Sequence, residues 1–88
     1  MSMSERQSLR LLVDEHDGET HAEADLIMEG YHLAARGTAR CNPADQNVTK
    51  IGEEIAVARA LSDLAQQLLH AAATDIEAVT HERARLHL

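Results

Sequence analysis

Asp14, His16, Glu19 and His21 straddle the dipeptide Asp17-Gly18 and form the densest group of chemistry-bearing side chains in the sequence. Imidazole nitrogens and carboxylate oxygens are ligands that Zn²⁺ and similar divalent ions accept. Whether the four can act together depends on the turn between them. If Asp17-Gly18 is a two-residue hairpin tip, all four fall on one face of the flanking strands. The plainer reading of the same residues is a solvated, charged tip, and no metal or other cofactor is expected. His32 stands apart, because it falls opposite Ile27, roughly 20 Å along the strand from His21.

Cys41 is the only cysteine, so no intrachain disulfide is available. It continues the inward parity of Ala39 and is expected to be buried as a small hydrophobe. No neighbouring Lys or His would lower its pKa. Nucleophilic catalysis needs a base and an orienting group as well, and no Gly-rich phosphate loop is present. An enzyme is not expected.

The arginines are the remaining candidates. Arg10, Arg36 and Arg40 share the polar face of the hairpin strands, and Arg83 and Arg85 lie near the C-terminus. An arginine-bearing face could meet nucleic acid phosphates, but the formal net charge is −7 and Lys50 is the only lysine. Arg10 and Arg36 also have cross-strand acidic partners in the pairing derived below.

These residues must be held by a small set of elements. Leu9, Leu11 and Val13, then Ala22, Ala24, Leu26 and Met28, then Tyr31, Leu33, Ala35, Gly37 and Ala39 alternate with mostly polar neighbours. Period-2 patterning predicts half-buried strands, here over about 8–15, 20–28 and 31–40. Asp17-Gly18 is a strong hairpin signal, and Glu29-Gly30 can turn the chain again. Together they pair Val13 with Ala22, Leu11 with Ala24 and Leu9 with Leu26. They also pair Met28 with Tyr31, Leu26 with Leu33 and Ala24 with Ala35. On the opposite face Arg10 meets Asp25 and Glu23 meets Arg36, pairs worth about 0.2–1 kcal/mol each. A one-residue slip would send the apolar set to the wrong face, so two turns agreeing on one register predict an antiparallel meander.

Ala22, Ala24, Ala35 and Gly37 leave room for a helix to approach that sheet closely. A helix over about 50–72 is expected, capped by Thr49 and with Glu53 and Glu54 favoured by its dipole. Ile51, Ile55, Ala58, Leu61, Ala65, Leu68 and Ala72 are expected to form its sheet-facing stripe, widened by Val57, Leu64 and Leu69. Thr74-Asp75-Ile76-Glu77 reads as a capping box for a second, short helix over about 75–80. The tail 81–88 alternates again and could add as an edge strand or fray. The fold class is therefore α+β, a single domain over 1–88.

Several blocks resemble a family of short uncharacterised actinobacterial proteins. They are Asn42-Pro43-Ala44-Asp45, Asn47-Val48, Ile51-Gly52, Ala58-Arg59-Ala60-Leu61-Ser62-Asp63-Leu64-Ala65 and Asp75-Ile76-Glu77-Ala78. The family includes mycobacterial proteins induced in hypoxic dormancy. The resemblance implies a fold like the double-stranded-RNA-binding domain, a three-stranded sheet with a helix on one face, here without the usual leading helix. It also implies a dimer of the kind likened to ribosome hibernation factors. True double-stranded-RNA-binding domains place lysines at the start of the final helix. Lys50-Ile51-Gly52-Glu53-Glu54 stands there instead, and two carboxylates would repel phosphate.

With one aromatic residue, Tyr31, in 88, the core must be built from small aliphatic side chains. Such a core supplies little burial for so short a chain, and a homodimer is expected to supply more. Leu12, Ile27 and Ala34 on the polar sheet face, with Arg36 and Arg40, are the candidate interaction residues. No apolar run approaches a membrane span and no signal peptide is visible. The expectation is a cytoplasmic, dimeric interaction protein with a possible ribosome or protein partner.

Overall fold

The computed structural model describes residue 4 and residues 6–40 and 48–87. Three strands, β1 (Ser8–His16), β2 (Glu19–Met28) and β3 (Tyr31–Arg40), precede one helix, α1 (Val48–Thr80). The strands form an antiparallel sheet in the order β1-β2-β3. Cys41 and the crossover 42–47 lie outside the described residues, and so does the expectation that Cys41 is buried.

The turns work as their residue types require. Asp17 and Gly18 both have positive φ, 51° and 77°, the backbone of a two-residue turn whose twist matches the flanking strands. At the second tip only Gly30 is left-handed, at φ 94°. Every pair expected from the sequence is present, from Leu9 opposite Leu26 to Glu23 opposite Arg36.

The helix differs from expectation in three ways. It runs unbroken for 33 residues, so there is no separate second helix. Thr74 sits inside it and its Oγ1 donates to the His70 carbonyl at 3.0 Å, the back-bond of a mid-helix threonine, not a cap. Thr49 is likewise inside the helix, and the first turn carries no acidic residue, so Glu53 and Glu54 lie beyond the strongest part of the dipole.

The third difference is which face packs. Gly52, Ala56, Ala60 and Leu64 are the buried helix positions, a stripe spaced by four. Of the stripe expected to face the sheet, Ile51, Ile55, Ala58 and Leu61 are exposed and Ala65, Leu68 and Ala72 half-buried, while Leu64, expected to widen it, is buried. The reason is clearance. The sheet offers Ala22, Ala24, Ala35 and Ala39, and at Gly37 an added Cβ would lie only 2.1 Å from the Ala56 carbonyl oxygen and 2.4 Å from the Ala60 nitrogen. Backbones this close admit only small side chains between them. Among the described residues the buried apolar core is accordingly six alanines and Leu64.

The helix lies against β3 and β2 and barely reaches β1. It runs antiparallel to β3, since Arg59 reaches Thr38 and Gln67 reaches Ala34. At about 50 Å it outruns ten-residue strands of about 33 Å, and its last turns project past the sheet. The molecule measures 54 × 29 × 19 Å. His81, at φ 62°, ends the helix in the left-handed conformation, with its N–H donating to the Glu77 carbonyl at 2.7 Å. The chain then folds back, held where the Ala84 N–H donates to Glu77 Oε1 at 3.0 Å. Residues 82–87 form no strand.

Candidate functional site

Two surfaces carry the residues of interest, one on each side of the sheet. The outer face holds the hairpin-tip group Asp14, His16, Glu19 and His21 and the candidates Leu12, Ile27, Ala34, Arg36 and Arg40. Its centre is Asp25, only 3% exposed although its neighbours on that face are open. Arg10 Nη2 lies 3.7 Å from Asp25 Oδ2, and His32 Nε2 lies 3.1 Å from Oδ1. A buried carboxylate needs such partners. Arg10–Asp25 follows from strand register, whereas His32 reaches diagonally from beside Ala34, a contact that pairing directly across the strands does not reveal.

The register brings Asp14 opposite His21 and His16 opposite Glu19, all on the outer face, but the side chains separate. His16 Nε2 turns to Asp17 Oδ2 at 3.2 Å, and Glu19 Oε1 turns to Arg40 Nη2 at 3.7 Å. Among the described residues no group of three or more His, Cys, Asp or Glu is placed to hold a metal ion. A shallow depression of about 290 Å³ lies beside them, lined by Leu12, Asp14, His21, Glu23, Arg36 and Thr38. It is open and mixed in charge.

Leu12, Ile27, Ala34, Arg36 and Arg40 are all exposed on this face. Leu12 and Ile27 are each 52% exposed, but Arg10 and Asp25 lie between their positions, so they are separate apolar points. Arg10 and Arg40 have acidic partners, and Arg36 stands opposite Glu23. The positive charge of the face is largely answered within the sheet.

The inner face contains the feature that sequence reasoning missed. A helix 10–12 Å wide covers about two strands spaced 4.8 Å apart, and α1 covers β2 and β3. The inward side chains of β1 are therefore bare, with Leu9 50% exposed and Leu11 and Val13 each 41%. Beside them the flank of α1 adds Val57, Ala58 and Leu61. Between strand and helix runs a groove of about 430 Å³, lined by Val13, Val57, Ala58 and Leu61 with Glu53 and Glu54 at its rim. Unlike the outer face, this apolar surface is contiguous; Ile51 and Ile55 lie on the other flank of the helix, in line with Arg59, which reaches the β3 edge. The signal was present in the sequence, since three strands are too wide for one helix. No described helix is long and apolar enough to cross a membrane.

Two layers, a three-stranded antiparallel meander under one long helix, define the class as α+β. Within that class the chain belongs to the Rv2632c-like family, whose model it matches over residues 5–85. It is 54% identical over 74 residues to the uncharacterised protein Mb1767 of Mycobacterium bovis, covering 84% of this chain and 79% of that protein. It is 50% identical over 72 residues to Rv2632c of Mycobacterium tuberculosis, covering 82% of this chain and 77% of that one. The crystal structure of Rv2632c superposes with a TM-score of 0.83 at 44% identity, covering 92% of this chain and 96% of the other.

Proposed function

We propose that this chain is a non-enzymatic interaction protein that works as a homodimer in the cytoplasm. The observation that supports the reading is the bare inner face of β1. Its three large aliphatic side chains are contiguous with the exposed flank of α1, while among the described residues the buried apolar core contains one side chain larger than alanine. Contiguous exposed apolar surface on a small protein marks a contact with another molecule. Sedimentation equilibrium of the intact chain at micromolar concentration tests this, with a dimer mass expected. A monomer persisting to about 100 μM would overturn it.

A role in stress or dormancy, with the ribosome as partner, rests on the family resemblance, as does kinship with double-stranded-RNA-binding domains. Co-sedimentation with ribosomes from oxygen-starved cells is the expected result. Recovery only in the soluble fraction would count against the ribosomal reading and leave the dimer untouched. Direct nucleic-acid binding is the weaker alternative, because the outer-face arginines face acids.

A further inference from the structure

This inference rests on the dimeric reading and names the contact that makes the dimer. We infer that β1 pairs antiparallel with β1 of a second copy, centred on Leu12, so that two sheets join into one of six strands.

β1 is the edge with bonding groups to spare. The two-residue turn at Asp17-Gly18 makes His16 and Glu19 a hydrogen-bonded pair, and such pairs alternate along the ladder. The even residues of β1 therefore bond to β2, and the N–H and C=O groups of Leu9, Leu11, Val13 and Glu15 point outward. None of these groups has a backbone partner among the described residues. The same alternation turns the Ala34 and Thr38 carbonyls outward on β3, where Gln67 and Arg59 donate to them. With β3 covered, β1 of one copy is left to meet β1 of the other. A two-fold axis perpendicular to the sheet relates the two, which makes the contact isologous and closed. Both helices then lie on one face of the joined sheet.

The bonding groups restrict the register. Outward groups must meet outward groups, so odd residues face odd residues. Centred on Leu12, all nine residues of β1 pair. Leu11 faces the second copy's Val13, Arg10 its Asp14, and Leu12 its Leu12. Leu9 faces Glu15 at the two ends, where the exposed carboxylate reaches water. On the outer face Arg10, already 3.7 Å from Asp25, gains a second carboxylate on its open side. Leu12, 52% exposed, is covered by its own copy. Opposite charges and large aliphatic side chains set directly across from each other stabilise a sheet. Centring on Leu11 pairs only residues 8–14 and sets Arg10 against Leu12. Centring on Val13 pairs only residues 10–16 and sets Leu11 against Glu15 and Leu12 against Asp14. Of the three registers, the central one keeps the most hydrogen bonds and joins Arg10 to Asp14.

The contact is long and narrow. Nine residues span about 30 Å, and the contact is one sheet layer deep, so it belongs with the smaller, reversible interfaces. Main-chain hydrogen bonds carry it, as in other strand additions. A dissociation constant of about 10 μM is expected.

The test reads the register directly. In the intact chain carrying Cys41→Ser, Leu12→Cys places two thiols across the two-fold axis in a non-hydrogen-bonded pair. The Cα atoms of such a pair are about 4.5 Å apart, within disulfide reach, so mild oxidation should give a covalent dimer. Leu11→Cys in the same background should stay uncross-linked, because the two Leu11 Cα atoms lie roughly 8 Å apart in this register. Leu11→Pro removes an outward N–H, which an edge strand tolerates. It is expected to leave the circular dichroism native and to raise the dimer dissociation constant at least tenfold by sedimentation equilibrium. Asp14→Lys sets an ammonium beside the second copy's Arg10 and should raise the constant about fivefold at low salt. A dimer that cross-links through Leu11→Cys and not Leu12→Cys, or that keeps its affinity in Leu11→Pro and Asp14→Lys, overturns this geometry and keeps the dimeric reading. A wild-type chain that stays monomeric overturns both.

Discussion

β1 and β3 are the two edges of one sheet and share the same alternation, yet they end in opposite states. Over β3 the helix comes so close that Gly37 has no room for a methyl group. Outside it, Arg59 Nη1 donates to the Thr38 carbonyl at 2.7 Å and Gln67 Nε2 to the Ala34 carbonyl at 2.9 Å. Those are edge carbonyls, and covering them blocks pairing with another chain. β1 receives neither treatment: all nine residues are exposed. One edge is closed by small residues and side-chain donors, and the other is left open with leucines. Protein edges need cover, and β1 is the edge that its own chain leaves open.

Substitutions can break that contrast. The largest effect is expected at Gly37→Val. The new side chain would meet helix backbone, which cannot rotate away, and stability should fall by about 3 kcal/mol or more, read as a lower urea midpoint. Leu64→Ala removes the largest apolar side chain buried among the described residues and should cost about 2–4 kcal/mol by the same measurement. Arg59→Ala and Gln67→Ala each free an exposed β3 carbonyl that water can satisfy, so about 0.5–1 kcal/mol is expected from each. Leu11→Ser should be the mildest in dilute solution, within about 0.5 kcal/mol. Its cost should grow as protein concentration rises, because association stabilises by mass action. A Leu11→Ser cost that is large and independent of concentration would show that β1 is closed by its own chain.

The sheet's register was legible in the sequence to the residue, and most of the helix's packed face was not. Register is over-determined, since Asp17-Gly18 and Glu29-Gly30 each fix it and the alternation agrees. The helix has two candidate stripes. Ile51, Ile55 and Leu61 are the more hydrophobic, but the sheet's Ala22, Ala24, Ala35 and Gly37 demand a small-residue counterpart, which Gly52, Ala56 and Ala60 supply. Hydropathy ranks side chains by transfer energy and ignores clearance, so of the four buried helix positions it found Leu64 and passed over Gly52, Ala56 and Ala60. The capping-box reading at Thr74 failed for a related reason. Local patterns that can start a helix also fit inside one when neighbouring residues, here Ala71 to Ala73, favour continuation. At the first hairpin the shared face of Asp14, His16, Glu19 and His21 followed from parity, whereas the pairing of His16 with Asp17 and Glu19 with Arg40 depended on rotamers that parity does not contain.

The alanine core has a thermal consequence. Heat-capacity change on unfolding scales with the apolar area exposed, at roughly 0.45 cal/mol/K per Å², and alanines contribute little of it. An isolated copy should therefore have a shallow stability curve, with little loss of stability in the cold. In the proposed dimer the strong temperature dependence would belong to the larger aliphatic side chains on β1 and the α1 flank beside it. Cooling should loosen the association of two copies before it loosens either fold.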